Sequence, residues 1–192
     1  IYPLGPLQEG ILFQQLLQKQ GDTYLVPSLF AFSNRERLDG FIATLDSVIA
    51  RHDVLRTAVL WEALEEPVQV VLRRAKLHVE TVVCSAEGDV AEELKHRYHP
   101  RSYRLDVREA PLLRAFAGYD AANERWLLLL LAHHLVLDHT TLDALVHEME
   151  QIAEGNTASL APPAPYRNYV AQTPFGLSRE EHETFFRKML GE

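Results

Sequence analysis

The chain has 192 residues, and its 19 Lys and Arg against 27 Asp and Glu give a formal net charge of −8. This length can bury one sizeable core, and 47% hydrophobic with 24% charged residues is typical of a globular domain and excludes a disordered or fibrous chain. The acidic balance argues against nucleic acid as a partner, because phosphate binding needs clustered Lys and Arg. The longest apolar run, 126–132, is far shorter than the about 20 residues that span a bilayer, so no membrane partner is expected.

The first eighty residues alternate between helical and strand patterns. After an extended opening at Tyr2-Pro3, apolar residues recur at helical spacing from Leu7 until Gly21-Asp22 ends the helix. Aromatic and β-branched residues predict a strand over 24–32, and an amphipathic helix is predicted over 38–51. Three further strands are predicted in quick succession, over 54–61, 67–72 and 77–83.

The rest of the chain continues the same mixture. The next predicted elements are a polar helix over 90–99, an irregular segment over 100–111, two antiparallel strands over 112–119 and 125–132, and a helix over 140–154. A proline-rich linker, 161–165, precedes a final helix over 178–190, for which Ser178 and Glu181 form a capping box. This order predicts an α/β fold with a mixed β-sheet covered by helices, rather than a strict βαβ alternation.

A single cysteine, Cys84, leaves no internal disulfide framework and no multi-cysteine zinc site. The reducing cytoplasm is therefore the expected compartment. Because the first residue is Ile1 rather than Met, we also expect the chain to begin inside a longer polypeptide or after an excised segment.

A dense cluster of polar side chains lies where a predicted strand gives way to a predicted helix. His133, His134, Asp138 and His139 stand within seven residues there, at a kind of junction that often presents side chains to a cleft. A neutral imidazole can take a proton from a nucleophile and return it to a leaving group. Since neighbouring residues of an extended segment point to opposite sides, only one of the adjacent histidines can face a given cleft. The alternative is that both are structural histidines at a strand end.

Asp138 could orient an imidazole, bind a metal or pair with an arginine. The best candidate partner is Arg56, which lies among apolar residues of a predicted strand, where an unpaired charge is costly. A bidentate pair between them would hold the histidine segment in place, and the alternative is two solvated charges. No metal site is predicted, because the spacing matches neither a helical His-x-x-x-His pair nor a His-x-His run, and adjacent histidines diverge.

Other kinds of chemistry have weaker support in the sequence. His133 and Asp138 fit the short His-x-x-x-x-Asp pattern of glycerolipid acyltransferases, but the membrane-anchoring segments of such enzymes are not evident. There is no nucleophile elbow and no glycine-rich phosphate loop, and Cys84 lies in an apolar strand without an activating neighbour. General-base chemistry on an activated acyl donor matches these residues best.

Four segments together resemble one known family. Residues 133–138, His-His-Leu-Val-Leu-Asp, resemble the His-His-x-x-x-Asp-Gly signature of nonribosomal peptide synthetase condensation domains. Residues 2–13, 51–57 and 166–169 resemble three further motifs of that family, in the right order. The resemblance covers nearly the whole chain but only the first half of such a domain. It implies that residues 1–192 are an amino-terminal lobe with a chloramphenicol acetyltransferase-like fold, and that the carboxy-terminal lobe is absent.

The resemblance also implies an activity and roles for these residues. Condensation domains form a peptide bond between acyl groups held as phosphopantetheine thioesters on carrier domains. His134 would position or deprotonate the acceptor amine, His133 would face the interior, and Asp138 would form a structural ion pair with Arg56. His139 replaces the glycine of the signature. The chain itself is expected to bind no cofactor, because the phosphopantetheine arms come from donor and acceptor peptidyl carrier domains of a multidomain synthetase.

Two alternatives stay open at this stage. One is a coenzyme A-dependent acyltransferase of the same superfamily, and the other is a non-catalytic module that docks carrier domains. The isolated lobe is expected to have little condensation activity, since half of the substrate tunnel would be missing. The opening motif, 2–13, resembles that of a subtype that accepts D-configured donors or couples epimerisation with condensation.

Overall fold

The computed structural model describes residues 1–85, 88–172 and 179–190. The helices are α1 (Pro6–Leu17), α2 (Arg35–Arg51), α3 (Val90–Arg97), α4 (His139–Ala153), α5 (Tyr166–Gln172) and α6 (Arg179–Leu190). The strands are β1 (Tyr2–Pro3), β2 (Leu25–Phe32), β3 (Thr57–Leu60), β4 (Val68–Val71), β5 (His78–Val82), β6 (Leu113–Asp120) and β7 (Arg125–His133). None of the helices in these ranges is long and apolar enough to cross a membrane.

The strands form two sheets. The larger sheet has the order β2-β7-β6-β5, in which β5 runs parallel to β6 and the other neighbours are antiparallel. The smaller sheet has the order β1-β4-β3 and is antiparallel. The prediction of a mixed sheet with helices is therefore confirmed, as is the antiparallel pairing of the last two strands.

The central strand β7 is buried on both faces, which explains its unbroken apolar sequence. Its even-numbered residues Leu128 and Leu130 belong to the core that includes Leu45 of α2 and Leu145 of α4. Its odd-numbered residues face the other way and pack in a second core with residues of α3 such as Leu94. Because side chains alternate across a strand, consecutive residues at the end of β7 must enter different environments.

Three helices begin at polar side chains that accept backbone hydrogen bonds. Asn34 accepts from Arg37 N–H at the start of α2, which begins three residues before the predicted limit. Asp89 and Asp138 cap α3 and α4 in the same way. The predicted cap at Ser178 lies outside the described residues.

The structure corrects two of the predicted elements. The predicted strand 54–61 begins instead with a 3₁₀ turn, Val54–Arg56, and only Thr57–Leu60 is extended. The turn forms because Arg56 N–H and the Thr57 hydroxyl both donate to the carbonyl oxygen of Asp53, at 3.0 and 2.9 Å. The short helix α5, which follows the proline-rich linker, is absent from the sequence-based prediction.

Candidate active site

The segment from His133 to Asp138, called the histidine loop below, connects β7 to α4. Its backbone is fixed by both neighbouring strands of the sheet. His133 N–H donates to Leu112 O before β6 at 3.0 Å, and His134 N–H donates to Tyr24 O before β2 at 2.9 Å. The loop then turns back on itself, since Val136 N–H donates to His133 O at 3.1 Å. Both histidines are therefore held by the sheet rather than by a mobile connection.

The side chain of His133 is fully buried, with 0% of its surface exposed. Its Nδ1 accepts a hydrogen bond from Leu135 N–H at 3.1 Å, so in the neutral ring the proton is on Nε2. That Nε2 lies 3.2 Å from Oδ2 of Asp22, at an angle outside hydrogen-bond geometry. The structure thus places His133 on the interior side of the loop.

Asp22 is a buried carboxylate that receives several donors at once. It is 1% exposed; Oδ1 accepts from Tyr24 N–H at 3.1 Å and Oδ2 accepts from Gln15 Nε2 at 3.1 Å. Burial by itself raises the pKa of this carboxyl, but the contact with His133 and the hydrogen bonds from Tyr24 and Gln15 outweigh it and hold the pKa below its ordinary value. Asp22 is therefore a carboxylate at neutral pH.

The sequence marks Asp22 only as the end of a helix. Its partner His133 is far away along the chain, and no local pattern connects the two. The one local signal is Gly21, which has a φ of +72°. A Cβ atom at this position would lie only 2.4 Å from Arg101 O. This close approach fixes the backbone that presents Asp22, and Asp22 N–H itself donates to Pro100 O at 2.7 Å.

A pair of buried glutamines holds the loop from another side. Gln8 of α1 donates through Nε2 to Leu135 O at 2.9 Å. Gln69 of β4 donates to Gln8 Oε1 and to Pro3 O, both at 2.9 Å. The opening segment of the chain, which resembles a family motif, therefore contacts the histidine loop directly.

His134 faces the opposite side of the loop from His133 and is half-buried. Its Nδ1 lies 2.9 Å from Leu137 O. A carbonyl oxygen can only accept, so Nδ1 carries the proton and the lone pair of the neutral ring is on Nε2. This is the tautomer in which Nε2 can accept a proton from a nucleophile.

His134 and Asp138 line a cavity of about 850 Å³ that lies between the larger sheet, α2 and α4. Most of its lining is apolar, and its walls include Val26 and Phe30 of β2 and Ala132 of β7. The cavity occupies the even-numbered face of β2 and β7, the face on which His134 stands. A half-buried imidazole thus borders a space large enough for an organic substrate.

Asp138 and Arg56, predicted to form an ion pair, have other partners in this structure. Asp138 is exposed and caps α4, and hydrogen bonds from Thr141 hold its pKa below the ordinary value. Arg56 donates to Leu72 O at the end of β4. The predicted pair does not form, because the 3₁₀ turn directs Arg56 along the edge of the smaller sheet, where Leu72 N–H in turn bonds to Arg56 O.

His139 is the first residue of α4, and its side chain lies outside the described part of the structure. A helical position does not need the conformational freedom of glycine. Among the residues that the structure describes, no group of three or more His, Cys, Asp or Glu side chains could hold a metal ion.

The 51–57 segment packs against the helices around the histidine loop. Arg51 and His52, at the end of α2, both contact Glu148 of α4, with His52 Nε2 2.7 Å from Glu148 Oε2. Asp53 accepts from Tyr166 N–H at 3.0 and 3.1 Å, at the start of α5. These contacts tie the end of α2 to α4, the helix that follows the histidine loop, and to the start of α5.

Comparison with known proteins identifies the class to which this fold and loop belong. The sequence model of the condensation domain family matches residues 1–192, and the chain belongs to that family. It has the fold of about half of such a domain: it aligns with the starter condensation domain of rhizomide synthetase at a TM-score of 0.73 and 17% identity, over 100% of this chain and 50% of the other.

The curated relatives are much longer proteins. The chain is 45% identical over 193 residues to malpinin synthetase of Mortierella alpina, covering 100% of this chain and 2% of that protein. It is 27% identical over 177 residues to tyrocidine synthase 2 of Brevibacillus parabrevis, covering 88% of this chain and 5% of that one. The chain therefore spans a small fraction of each of these proteins.

Proposed function

We propose that residues 1–192 are the amino-terminal lobe of a condensation domain that forms peptide bonds in nonribosomal peptide synthesis, and that the second lobe follows in the parent polypeptide. Family membership and the match to half of a solved condensation domain support this reading. The relatives are themselves named as synthetases or synthases. Membership of such a synthetase implies that the chain acts in the cytoplasm.

In this proposal His134 is the catalytic residue. The supporting observation is the hydrogen bond from His134 Nδ1–H to Leu137 O, which leaves the lone pair of the neutral ring on Nε2. The ring lines a largely apolar cavity. The acceptor amine attacks the donor thioester carbonyl, so that a C–N bond forms and the C–S bond breaks. The proton of the amine passes to His134 Nε2 and then to the departing thiolate. Holding the amine in line for attack supplies part of the rate.

The two thioesters are carried to the site by partners. Donor and acceptor peptidyl carrier domains of the synthetase bring them on phosphopantetheine arms, and this chain holds no cofactor of its own. The apolar lining of the cavity suits acyl groups with apolar side chains.

The test joins residues 1–192 to the second lobe of the parent polypeptide and supplies carrier-bound donor and acceptor. His134→Ala should abolish measurable peptide product while the circular dichroism spectrum stays unchanged. The matched control is His147→Ala, since His147 is an exposed histidine of α4 whose side chain is 72% accessible; this variant should keep full turnover.

Three results would contradict the proposal. A His134→Ala domain that still turns over removes the catalytic role. Turnover of acyl-coenzyme A by residues 1–192 alone indicates a free-standing acyltransferase. Carrier binding without product in the unsubstituted two-lobe domain indicates a docking module.

A further inference from the structure

We infer that Asp22 is a positioning residue: acting through His133 and the histidine loop, it fixes the ring orientation of His134 and the location of its proton. The catalytic consequence rests on the proposed function, whereas the effect on the two rings does not.

The first step is the contact between Asp22 and His133. His133 Nε2 lies 3.2 Å from Asp22 Oδ2, and a proton on Nε2 makes this contact attractive, because a carboxylate can only accept and would repel a ring lone pair. Asp22 cannot turn away, because Tyr24 N–H and Gln15 Nε2 hold its two oxygens, each at 3.1 Å. Both side chains are closed off from solvent, with 0% accessible surface each, and a buried carboxylate is stable only with such donors.

The second step is the contact between His133 and the loop. With the proton on Nε2, Nδ1 has a lone pair and accepts Leu135 N–H at 3.1 Å. If the proton moved to Nδ1, two N–H groups would face each other and this bond would be lost. On the other side, Leu135 O is held by Gln8 at 2.9 Å. The tautomer of His133 therefore decides whether the peptide groups around Leu135 stay in their observed orientation.

The third step leads from the loop to His134. The turn over residues 134–136 brings Leu137 O to within 2.9 Å of His134 Nδ1, and this contact holds the proton on Nδ1. A second connection runs through Tyr24, whose N–H bonds to Asp22 and whose carbonyl accepts His134 N–H at 2.9 Å. Asp22 thus acts on the peptide unit of His134 and on the acceptor of its ring proton, without touching the cavity.

The direct experiment records the ring nitrogens of the 192-residue chain, labelled with ¹⁵N at histidine, by long-range proton–nitrogen correlation NMR. The unsubstituted chain should show His133 protonated at Nε2 and His134 at Nδ1. Asp22→Asn leaves one acceptor oxygen for three donors and turns an NH₂ group toward one of them. Both histidines should then lose their single tautomer.

The matched control is Asp120→Asn. Asp120 is also a buried carboxylate, 5% exposed, and accepts from Asn123 and Arg125 at the other end of the β6–β7 hairpin. This variant should leave both tautomers unchanged. The inference is overturned if Asp22→Asn also leaves them unchanged, or if His133 in the unsubstituted chain carries its proton on Nδ1. The measurement on the unsubstituted chain needs no variant, so the inference can be tested even if Asp22→Asn folds poorly.

The kinetic experiment uses the two-lobe domain. Asp22→Asn should lower kcat by roughly tenfold or more, as loss of a group that orients a reactive side chain does, while KM for the carrier-bound substrates stays within about twofold. Asp120→Asn should keep both values. If His134→Ala abolishes turnover and Asp22→Asn leaves kcat unchanged, the positioning role fails alone; if His134→Ala keeps turnover, the proposed function fails.

Discussion

The two sides of the histidine loop differ in how closely they are packed. On the interior side, His133 lies in a closed network: its Nδ1 accepts from the loop backbone, its Nε2 faces Asp22, and Gln15 in turn donates to Asp22. On the other side, His134 borders an apolar cavity of about 850 Å³ and is held at Nδ1 by a backbone carbonyl. Adjacent residues of the same type therefore lie in different environments: His133 is closed in on all sides, whereas His134 borders open space.

The largest effect that should separate the two sides is a loss of stability. His133→Ala removes a fully buried ring, leaves a cavity and takes one partner from the buried Asp22 carboxylate, so we expect a loss of about 3 to 5 kcal/mol. His134→Ala removes a half-buried ring beside existing space and should cost about 1 kcal/mol or less. Urea unfolding of the two variants measures the difference, and equal losses would refute the contrast.

Gly21→Ala, on the interior side, should cause the second-largest loss of stability. The positive φ and the approach of a Cβ to 2.4 Å from Arg101 O force the backbone that presents Asp22 to move. We expect a loss of about 2 to 3 kcal/mol in thermal or urea unfolding.

The control for that change is Gly10→Ala. Gly10 lies in the middle of α1, and a Cβ there would meet nothing within 4 Å. This substitution should stabilise the chain by up to about 1 kcal/mol. A loss at Gly10 as large as that at Gly21 would remove the steric explanation.

A pair of neighbouring substitutions compares the packing of the two faces. Leu131→Phe adds atoms to the closed core that includes α3, where overpacking costs about 1 to 3 kcal/mol. Ala132→Phe points into the cavity and should change stability by less than about 1 kcal/mol. In the two-lobe domain it should instead raise KM for the carrier-bound substrates, and an unchanged KM would show that the cavity is not used.

The smallest expected effect is a pH dependence. The pKa of Asp22 is lowered in the folded chain, so its carboxylate stabilises the fold above the ordinary aspartate pKa of about 3.9, and that contribution is lost as the pH falls toward the lower folded value. Stability measured between neutral pH and pH about 3 should therefore fall less steeply for Asp22→Asn than for the unsubstituted chain. Parallel curves would indicate that Asp22 does not titrate with folding.

Much of the site is predictable because the evidence for it is local. The histidine cluster stands at the end of an apolar strand, and the alternation of side chains indicates that His133 and His134 diverge, as the structure shows. The partners of these residues are not predictable in the same way. Local patterns mark Asp22 only as a helix end, and they pair Arg56 with Asp138 by placing it in a strand, whereas it lies in a 3₁₀ turn and donates to Leu72 O.

The sequence by itself determined the order of most helices and strands, the mixed sheet and the segments that resemble condensation domains, because periodicity and short motifs act between residues close in the chain. Tertiary structure alone decided which distant groups meet: Asp22 with His133, Gln8 with Leu135, and Glu148 with the end of α2. A buried polar side chain must find its partner wherever the fold brings one within hydrogen-bond distance, and that distance is set by the packing of the sheet and its helices.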